Sequence, residues 1–340
     1  MVWWSLYLNY FCLLIISTTI LINFELKMNQ LGRDKTPFFF LIDYEKRESK
    51  IYPLNEIPSS LFFKSALFST GNPKSNLTDS VDFIKQPVPF EAYKTAFLKA
   101  KKEICKGYSY LLNLTFPTPI KTNLSLSEIY NRSKSPYKLL YNNKFVCFSP
   151  ETFVKIKEGK IYTYPMKGTI DAEILNAEKI ILNDKKERAE HHTIVDLLRN
   201  DLSLVSKKVS VEKLRYVESI KTNSNTLLQV SSKISGVLPD NYTQKIGCIF
   251  SKLLPAGSIC GAPKKETLKI IDNLENYKRG YYTGVMGVFD GKNLDSAVLI
   301  RYIENDKGKL IYKSGGGITH LSNAESEYQE LIQKVYVPFN

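Results

Sequence analysis

Two helical stretches of this sequence carry glutamates where a buried stripe would begin. With Glu187 placed at 0° and about 100° per residue, Ile194, Leu197, Leu198, Leu202 and Val205 fall within about 80° of zero. Glu190 falls in the same arc, so Glu187 and Glu190 stand one turn apart at the head of that stripe. Near the C-terminus Tyr328, Leu331, Ile332 and Val335 form a second stripe, with Glu327, Glu330 and Lys334 on the adjoining face. Two glutamate pairs at i, i+3 with no neighbouring cysteine suit a hard divalent cation such as Mg²⁺, which takes oxygen ligands and keeps several waters. The same spacing describes solvated acidic faces, and acids favour the first turn of any helix.

A second candidate is Ser314-Gly315-Gly316-Gly317-Ile318, just before the second acidic stretch. Consecutive glycines let backbone N–H groups turn toward an anion, and the N-terminus of the following helix adds its positive dipole end. No GK[ST] follows, so this is not a Walker loop, and an ordinary glycine turn has the same composition. Arg301, at the end of an apolar strand, offers bidentate binding of a carboxylate. Lys167 lies in Tyr164-Pro165-Met166-Lys167-Gly168-Thr169, after a strand. A lysine there is either a surface residue or a nucleophile, the latter if burial or a nearby cation depresses its pKa.

The elements that would hold these residues follow from periodicity and turn residues. Strands are predicted over Pro37 to Tyr44 and Tyr108 to Phe116, and a helix over Phe90 to Lys106. Phe145 to Ile156 and Lys160 to Tyr164 read as paired strands around Glu158-Gly159. Lys185 to Ser206 reads as a long amphipathic helix. A meander follows over Thr283 to Phe289, Leu294 to Ile303 and Lys309 to Tyr312, turning at Asp290-Gly291 and Lys307-Gly308. A last helix covers Asn323 to Val335. Strands and helices are interspersed without a βαβ rhythm, so the expected class is α+β with large antiparallel sheets.

The 340 residues carry 47 Lys+Arg against 34 Asp+Glu, a formal charge of +13, and 43% are hydrophobic. That mix excludes wholesale disorder. The cations are dispersed and no aromatic–basic RNA motif accompanies them, so nucleic acid is not an expected partner. Five cysteines without a CxxC pair, and three histidines, argue against a disulfide framework or a zinc site. A cytoplasmic setting is expected. Val2 to Phe24 is free of charge and could be a membrane anchor, a signal peptide or the product of a mis-called start, with Met28 opening the chain proper. No basic residue precedes this run and no small-residue cleavage site follows it. The expected organisation is an apolar extension over 1–27 and a single domain over 28–340, undivided by linker or repeat.

Several motifs in order resemble the chorismate-utilising enzymes, the family of anthranilate synthase component I, aminodeoxychorismate synthase component I, isochorismate synthase and salicylate synthase. They are Ser149-Pro150-Glu151, YPMKGT at 164–169, AEHHTIVDLLRNDL at 189–202, PAGSICGAPKKETLKIIDNLE at 255–275, RGYYTGVMG at 279–287 and GGGITHLSNAESEYQELIQK at 315–334. Within the family, PMKGT is similar to the aminodeoxychorismate type, where anthranilate synthases usually have PIAGT. YLLNLT at 110–115 resembles that subfamily's strand. The resemblance implies two large, mostly antiparallel sheets packed as a β-sandwich flanked by helices.

It also implies roles. Lys167 would be the nucleophile and Glu151 the general acid. Glu190 and Glu330 would bind Mg²⁺ directly, with Glu187 and Glu327 acting through water or from behind the direct ligands. Arg301, Tyr282 and the amides of Gly315, Gly316 and Gly317 would hold the pyruvyl carboxylate. Lys334, Ser258 and Thr169 would touch the substrate, while Lys264 could be a contact or structural. The implied reaction takes chorismate and ammonia to 4-amino-4-deoxychorismate, on the route to p-aminobenzoate and folate. Anthranilate synthesis is the alternative. No cysteine sits on a glutaminase-like elbow, so the ammonia would come from a separate glutamine amidotransferase subunit.

Overall fold

A computed structural model describes residues 24–76, 80–221 and 226–338. The apolar run Val2 to Phe24 lies outside them except for Phe24 itself. Among the described residues no helix is long and apolar enough to cross a membrane. A helix over 24–33 crosses the expected boundary at Met28. Phe24 and Met28 are both buried in one core cluster with Phe38, Ile246 and Phe250.

Two antiparallel sheets form the body, one of nine strands and one of eight among the described residues. The class is therefore α+β, as the interspersed pattern predicted. Phe38–Ile42 (FFFLI) is buried at every position and lies between Ser49–Pro53 and Val285–Phe289 in the larger sheet. Such unbroken apolar runs mark strands covered on both faces.

Two of the predicted strands are each split in two. The run from Phe145 to Ile156 breaks at Pro150-Glu151: Phe145–Ser149 belongs to the eight-stranded sheet, Thr152–Lys157 to the nine-stranded one. The run from Leu294 to Ile303 breaks in the same way, Leu294–Val298 in the larger sheet and Tyr302–Asp306 in the smaller. Between them Arg301 adopts a left-handed φ of 56°. The broken strands pair with each other on both sides of the break, Ala297 opposite Thr152 and Tyr302 opposite Cys147. Backbone bonds Val298 N–H to Glu151 O (3.1 Å) and Phe148 N–H to Arg301 O (3.1 Å) clamp the crossing. A ribbon of two strands thus passes from sheet to sheet, and Glu151 and Arg301 stand where it bends.

The glycine run does not form an anion-binding loop. It is part of the strand Lys309–Ile318, with Gly315, Gly316 and Gly317 opposite Thr115, Leu114 and Asn113 of the strand Leu111–Thr122. None of the three has positive φ. The helix Lys185–Ser203 starts at Asp184, whose side chain accepts from Glu187 N–H at 2.8 Å, and buries Ile194, Leu198 and Leu202. The helix Ala324–Gln333 starts at Asn323, whose side chain accepts from the N–H groups of Glu325 and Ser326. Its Leu331 packs with Leu112, Leu114 and Ile318 behind the glycine strand.

Gly261 closes the short helix Gly257–Cys260 with φ of 122°, and a Cβ there would lie 1.9 Å from Leu111 O. Gly261→Ala is expected to lower the unfolding free energy by about 3 kcal/mol or more. Denaturant titration checks this, and a loss below about 1 kcal/mol would contradict the close approach.

Candidate active site

The bend of the two-strand ribbon opens into a cavity of about 280 Å³. Glu151, Lys167, Glu190, Ser258, Tyr282 and Arg301 line it, and Gly315, Gly317 and Lys334 complete the wall. Residues spread over the C-terminal two thirds of the sequence therefore meet at one place. Thr169, Gly316, Glu187, Glu327 and Glu330 are not in the wall.

Glu151 Oε1 accepts a hydrogen bond from Ser258 Oγ at 2.7 Å. Burial pushes its carboxyl above the usual range, and this outweighs the opposing effects of Ser258, Arg301 and Lys334. A carboxyl that keeps its proton to higher pH is suited to general-acid work. Ser258 can reach it because Gly257 lacks a side chain: a Cβ there would meet Asp201 Oδ2 at 2.7 Å and Leu197 Cγ at 3.1 Å on the long helix.

Lys167 lies in the strand Met166–Asp171, which is bulged between Met166 and Thr169. In a regular strand Lys167 and Thr169 would share a face. The bulge at Gly168, with φ of 82°, turns Lys167 into the cavity and leaves Thr169 exposed, opposite Gln229. Lys167 Nζ pairs with Glu190 Oε2 at 2.8 Å. Burial would lower its pKa, but Glu190, Glu330 and Glu187 together outweigh burial and raise it. In this arrangement Lys167 is an ammonium.

The glutamates approach over glycines. Glu187 Oε2 is 3.1 Å from where a Cβ on Gly168 would lie, and Glu327 Oε2 is 3.5 Å from the corresponding point on Gly316. Glu330 pairs with Lys334 at 2.7 Å, and Lys334 also donates to Gly315 O at 2.9 Å. Glu327 accepts from Ser322 Oγ at 2.8 Å. The expected set of four ligands is not assembled: among the described residues no three Asp, Glu, His or Cys side chains form a metal-holding group. Lys167, Lys334 and Ser322 already engage Glu190, Glu330 and Glu327. Even so, Glu190 pairs with the Lys167 ammonium, and Glu330 and Glu187 add to the field that favours it, so acids from two helices act on one cationic point. Such a set fits a Mg²⁺ held by one or two carboxylates, with water and substrate oxygens completing its shell.

The same cavity also holds a place for an anion. Arg301 Nε is buried without a hydrogen-bond partner, and its guanidinium lies 5.1 Å over the Tyr336 ring. Leaving a buried donor unmade is costly, and a substrate carboxylate would satisfy it. Thr115 N–H is spent on Glu275 Oε1 at 3.0 Å, which makes Thr115 and Gly315 a non-hydrogen-bonded pair. By alternation the N–H groups of Gly315 and Gly317 turn away from the neighbouring strand, while Gly316 spends its own in the ladder. Two glycine amides, not three, face the cavity side. Tyr282 is 3% exposed, and burial holds its phenol protonated well beyond its ordinary range.

Lys264 is structural. Its Nζ donates to Leu253 O (2.9 Å) and pairs with Asp201 Oδ1 (2.9 Å), tying the helix Lys264–Leu274 to the long helix. Motif reading assigned nothing to Asn113, Gln229 and Lys313, which also line the cavity, or to Arg279 behind it. Gln229 sits in a strand, Thr226–Val237, with no sequence signature of chemistry. Arg279 pairs with Glu275 just beyond the end of the helix Lys264–Leu274, outside any regular element whose period could have flagged it.

This fold and site define a class. The chain belongs to the chorismate binding enzyme family, whose model matches residues 33–339. It is thus an enzyme acting on chorismate. A PabA-like protein of Pasteurella multocida is 52% identical over 312 residues, covering 91% of this chain and 96% of that one. A PabA-like protein of Haemophilus influenzae is 49% identical, covering 93% and 96%. Anthranilate synthase component 1 of Acetivibrio thermocellus is 36% identical, covering 70% of this chain and 50% of its own length. Among solved structures, an isochorismate synthase from Bacillus anthracis superposes with a TM-score of 0.70 at 19% identity, covering 93% and 87%, a likeness of fold. The structural likeness supports the sandwich of sheets that the motifs implied.

Removing either partner of the Asp201–Lys264 pair is expected to cost about 2 kcal/mol of stability. The double variant Asp201→Ala/Lys264→Ala should cost little more than either single change. Additive losses in denaturant melts would show that the two are not coupled.

Proposed function

We propose that this enzyme aminates chorismate at C4, giving 4-amino-4-deoxychorismate with the enolpyruvyl group retained. The observation that carries the proposal is Lys167: a lysine, where anthranilate synthases usually have alanine, lines the same cavity as Glu151 and Arg301. Chorismate is a dianion, and the two sides of the cavity suit its two carboxylates. Arg301, the amides of Gly315 and Gly317, and Tyr282 would hold the pyruvyl carboxylate. Glu190 and Glu330 would hold Mg²⁺, with Glu187 and Glu327 behind them. A cation bound there would carry the ring carboxylate and cancel the field that keeps Lys167 protonated, leaving burial, which favours the free amine.

The free amine of Lys167 attacks C2 as the ring double bond shifts and the C4 hydroxyl leaves. Glu151 gives that hydroxyl its proton, so water departs. Ammonia then attacks C4, the double bond shifts back, and the lysine is expelled. Ser258 and Lys334 steady the substrate and the acid.

Ammonia comes from a separate glutamine amidotransferase subunit. Cys147 and Cys260 are buried thiols whose pKa burial raises, Cys260 to about 11, the opposite of what a glutaminase nucleophile needs. The enzyme works in the cytoplasm, and its product feeds p-aminobenzoate and folate synthesis. Anthranilate synthesis is the competing activity, favoured by the relatives that bear that name at 36% and 31% identity.

Purified enzyme given chorismate, Mg²⁺ and ammonium should form a product that becomes p-aminobenzoate only after a lyase is added. Anthranilate fluorescence without the lyase would overturn the proposal. Lys167→Ala should lower aminodeoxychorismate formation by about 100-fold or more. Near-normal turnover at all ammonium concentrations would exclude a covalent role.

A further inference from the structure

Arg279 is 1% exposed and does not line the cavity, yet it is hydrogen-bonded to four residues of its wall. Its Nε and Nη2 donate to the two carboxylate oxygens of Glu275 at 2.8 and 2.6 Å. Nη1 donates to Ile259 O at 2.9 Å and Nη2 to Asn113 O at 2.7 Å. The face of the guanidinium lies 4.5 Å from the Tyr44 ring centre. Its own carbonyl accepts from Lys313 Nζ at 3.1 Å and from Tyr282 N–H at 3.2 Å. Asn113, Ile259, Tyr282 and Lys313 all line the cavity.

The Ile259 contact has the most chemical leverage. Ser258 sits in a helix of only four residues, Gly257–Cys260. So short a turn has little hydrogen bonding of its own to fix its orientation. The Ile259 carbonyl is gripped by Arg279 Nη1 and by Asn113 Nδ2 at 3.2 Å, and the adjacent Ser258 hydroxyl donates to Glu151. A buried, fully paired arginine adds little stability over a well-packed apolar group. What it does supply is a rigid planar fork with fixed angles among three partners. We propose that Arg279 is a positioning residue of this site, holding the Ser258 turn through Ile259 so that the Ser258 hydroxyl stays on the Glu151 carboxyl. The proposal rests on Glu151 being the general acid of chorismate amination, and it deepens that assignment.

Ser258, Arg301, Lys334 and Tyr282 act on Glu151, with Lys167, Glu190 and Lys313 in the same wall, and Ser258 is the neutral donor that depresses its pKa. Loss of the Ser258 contact therefore raises the Glu151 pKa further. The test titrates the Glu151 carboxyl directly by NMR of protein labelled with ¹³Cδ-glutamate, the signal being assigned by its loss in Glu151→Gln. Ser258→Ala should move the midpoint up by about one pH unit. Arg279→Lys, which keeps the charge but loses the fork, should move it the same way, and the double variant no further than Ser258→Ala alone. Should Arg279→Lys not fold, Glu275→Asp draws Arg279 away from Ile259 with both charges kept, and should give a smaller upward shift that Ser258→Ala likewise masks. An unchanged midpoint in folded Arg279→Lys or Glu275→Asp, or shifts that add to that of Ser258→Ala, would overturn the proposal. These measurements need no turnover, so failure of the Arg279 role and failure of the amination activity are seen separately.

Discussion

The two-strand ribbon that changes sheets at Glu151 and Arg301 is the constraint on which the rest of the site depends. Within a sheet, ladder bonds consume the backbone and neighbouring side chains pack against each other. Where both strands leave one sheet for the other, the ladder is interrupted over the same few residues. Pro150 supports the break on one strand, since it has no N–H to give, and the left-handed Arg301 supports it on the other. Clamped by Val298 and Phe148, the bend holds an acid and a cation at one place without a loop to disorder them.

Charge is organised around that bend in two halves. In one, glutamates from two helices converge, and glycines on the facing strands let them approach closely. Lys167 and Lys334 hold Glu190 and Glu330 by direct ion pairs. In the same wall Arg301 has an unmet donor, and Gly315 and Gly317 keep their amides out of the ladder. A dianion with separated carboxylates matches this division better than a single phosphate or a neutral sugar, because each half would be left unbalanced by a ligand that engaged only the other.

Much of this was legible in the sequence. Helical periodicity located the acidic helices, and alternation and turn residues located most strands. The breaks at Glu151 and Arg301 were not, because a run such as FVCFSPETFVKI stays apolar on both sides and periodicity does not show a change of sheet. The glycine run was misjudged for a related reason. The run is paired as a strand with residues about 200 positions earlier, a non-local pairing that outweighs the turn preference of glycine. The strand expected to stop at Phe116 continues through Pro117 and Pro119. Counting from Thr115, both prolines fall at positions whose N–H would point away from the glycine strand, so no ladder bond there is lost. The tie of Arg279 to the site is not legible in the sequence, because it reaches the cavity wall through the carbonyls of Ile259 and Asn113, and backbone acceptors leave no mark there.

Tyr336 lies close to the end of the described chain, beyond the last helix. Its carbonyl accepts from Tyr312 Oη at 3.1 Å, and its ring covers the Arg301 guanidinium. The stretch beyond the last helix thus backs Arg301 from outside the cavity. Displacing Tyr336 would uncover that side of the guanidinium to water. The ring would then no longer keep that face of the arginine dry, and the pull of the arginine on a small dianion would weaken although no residue in the cavity had changed.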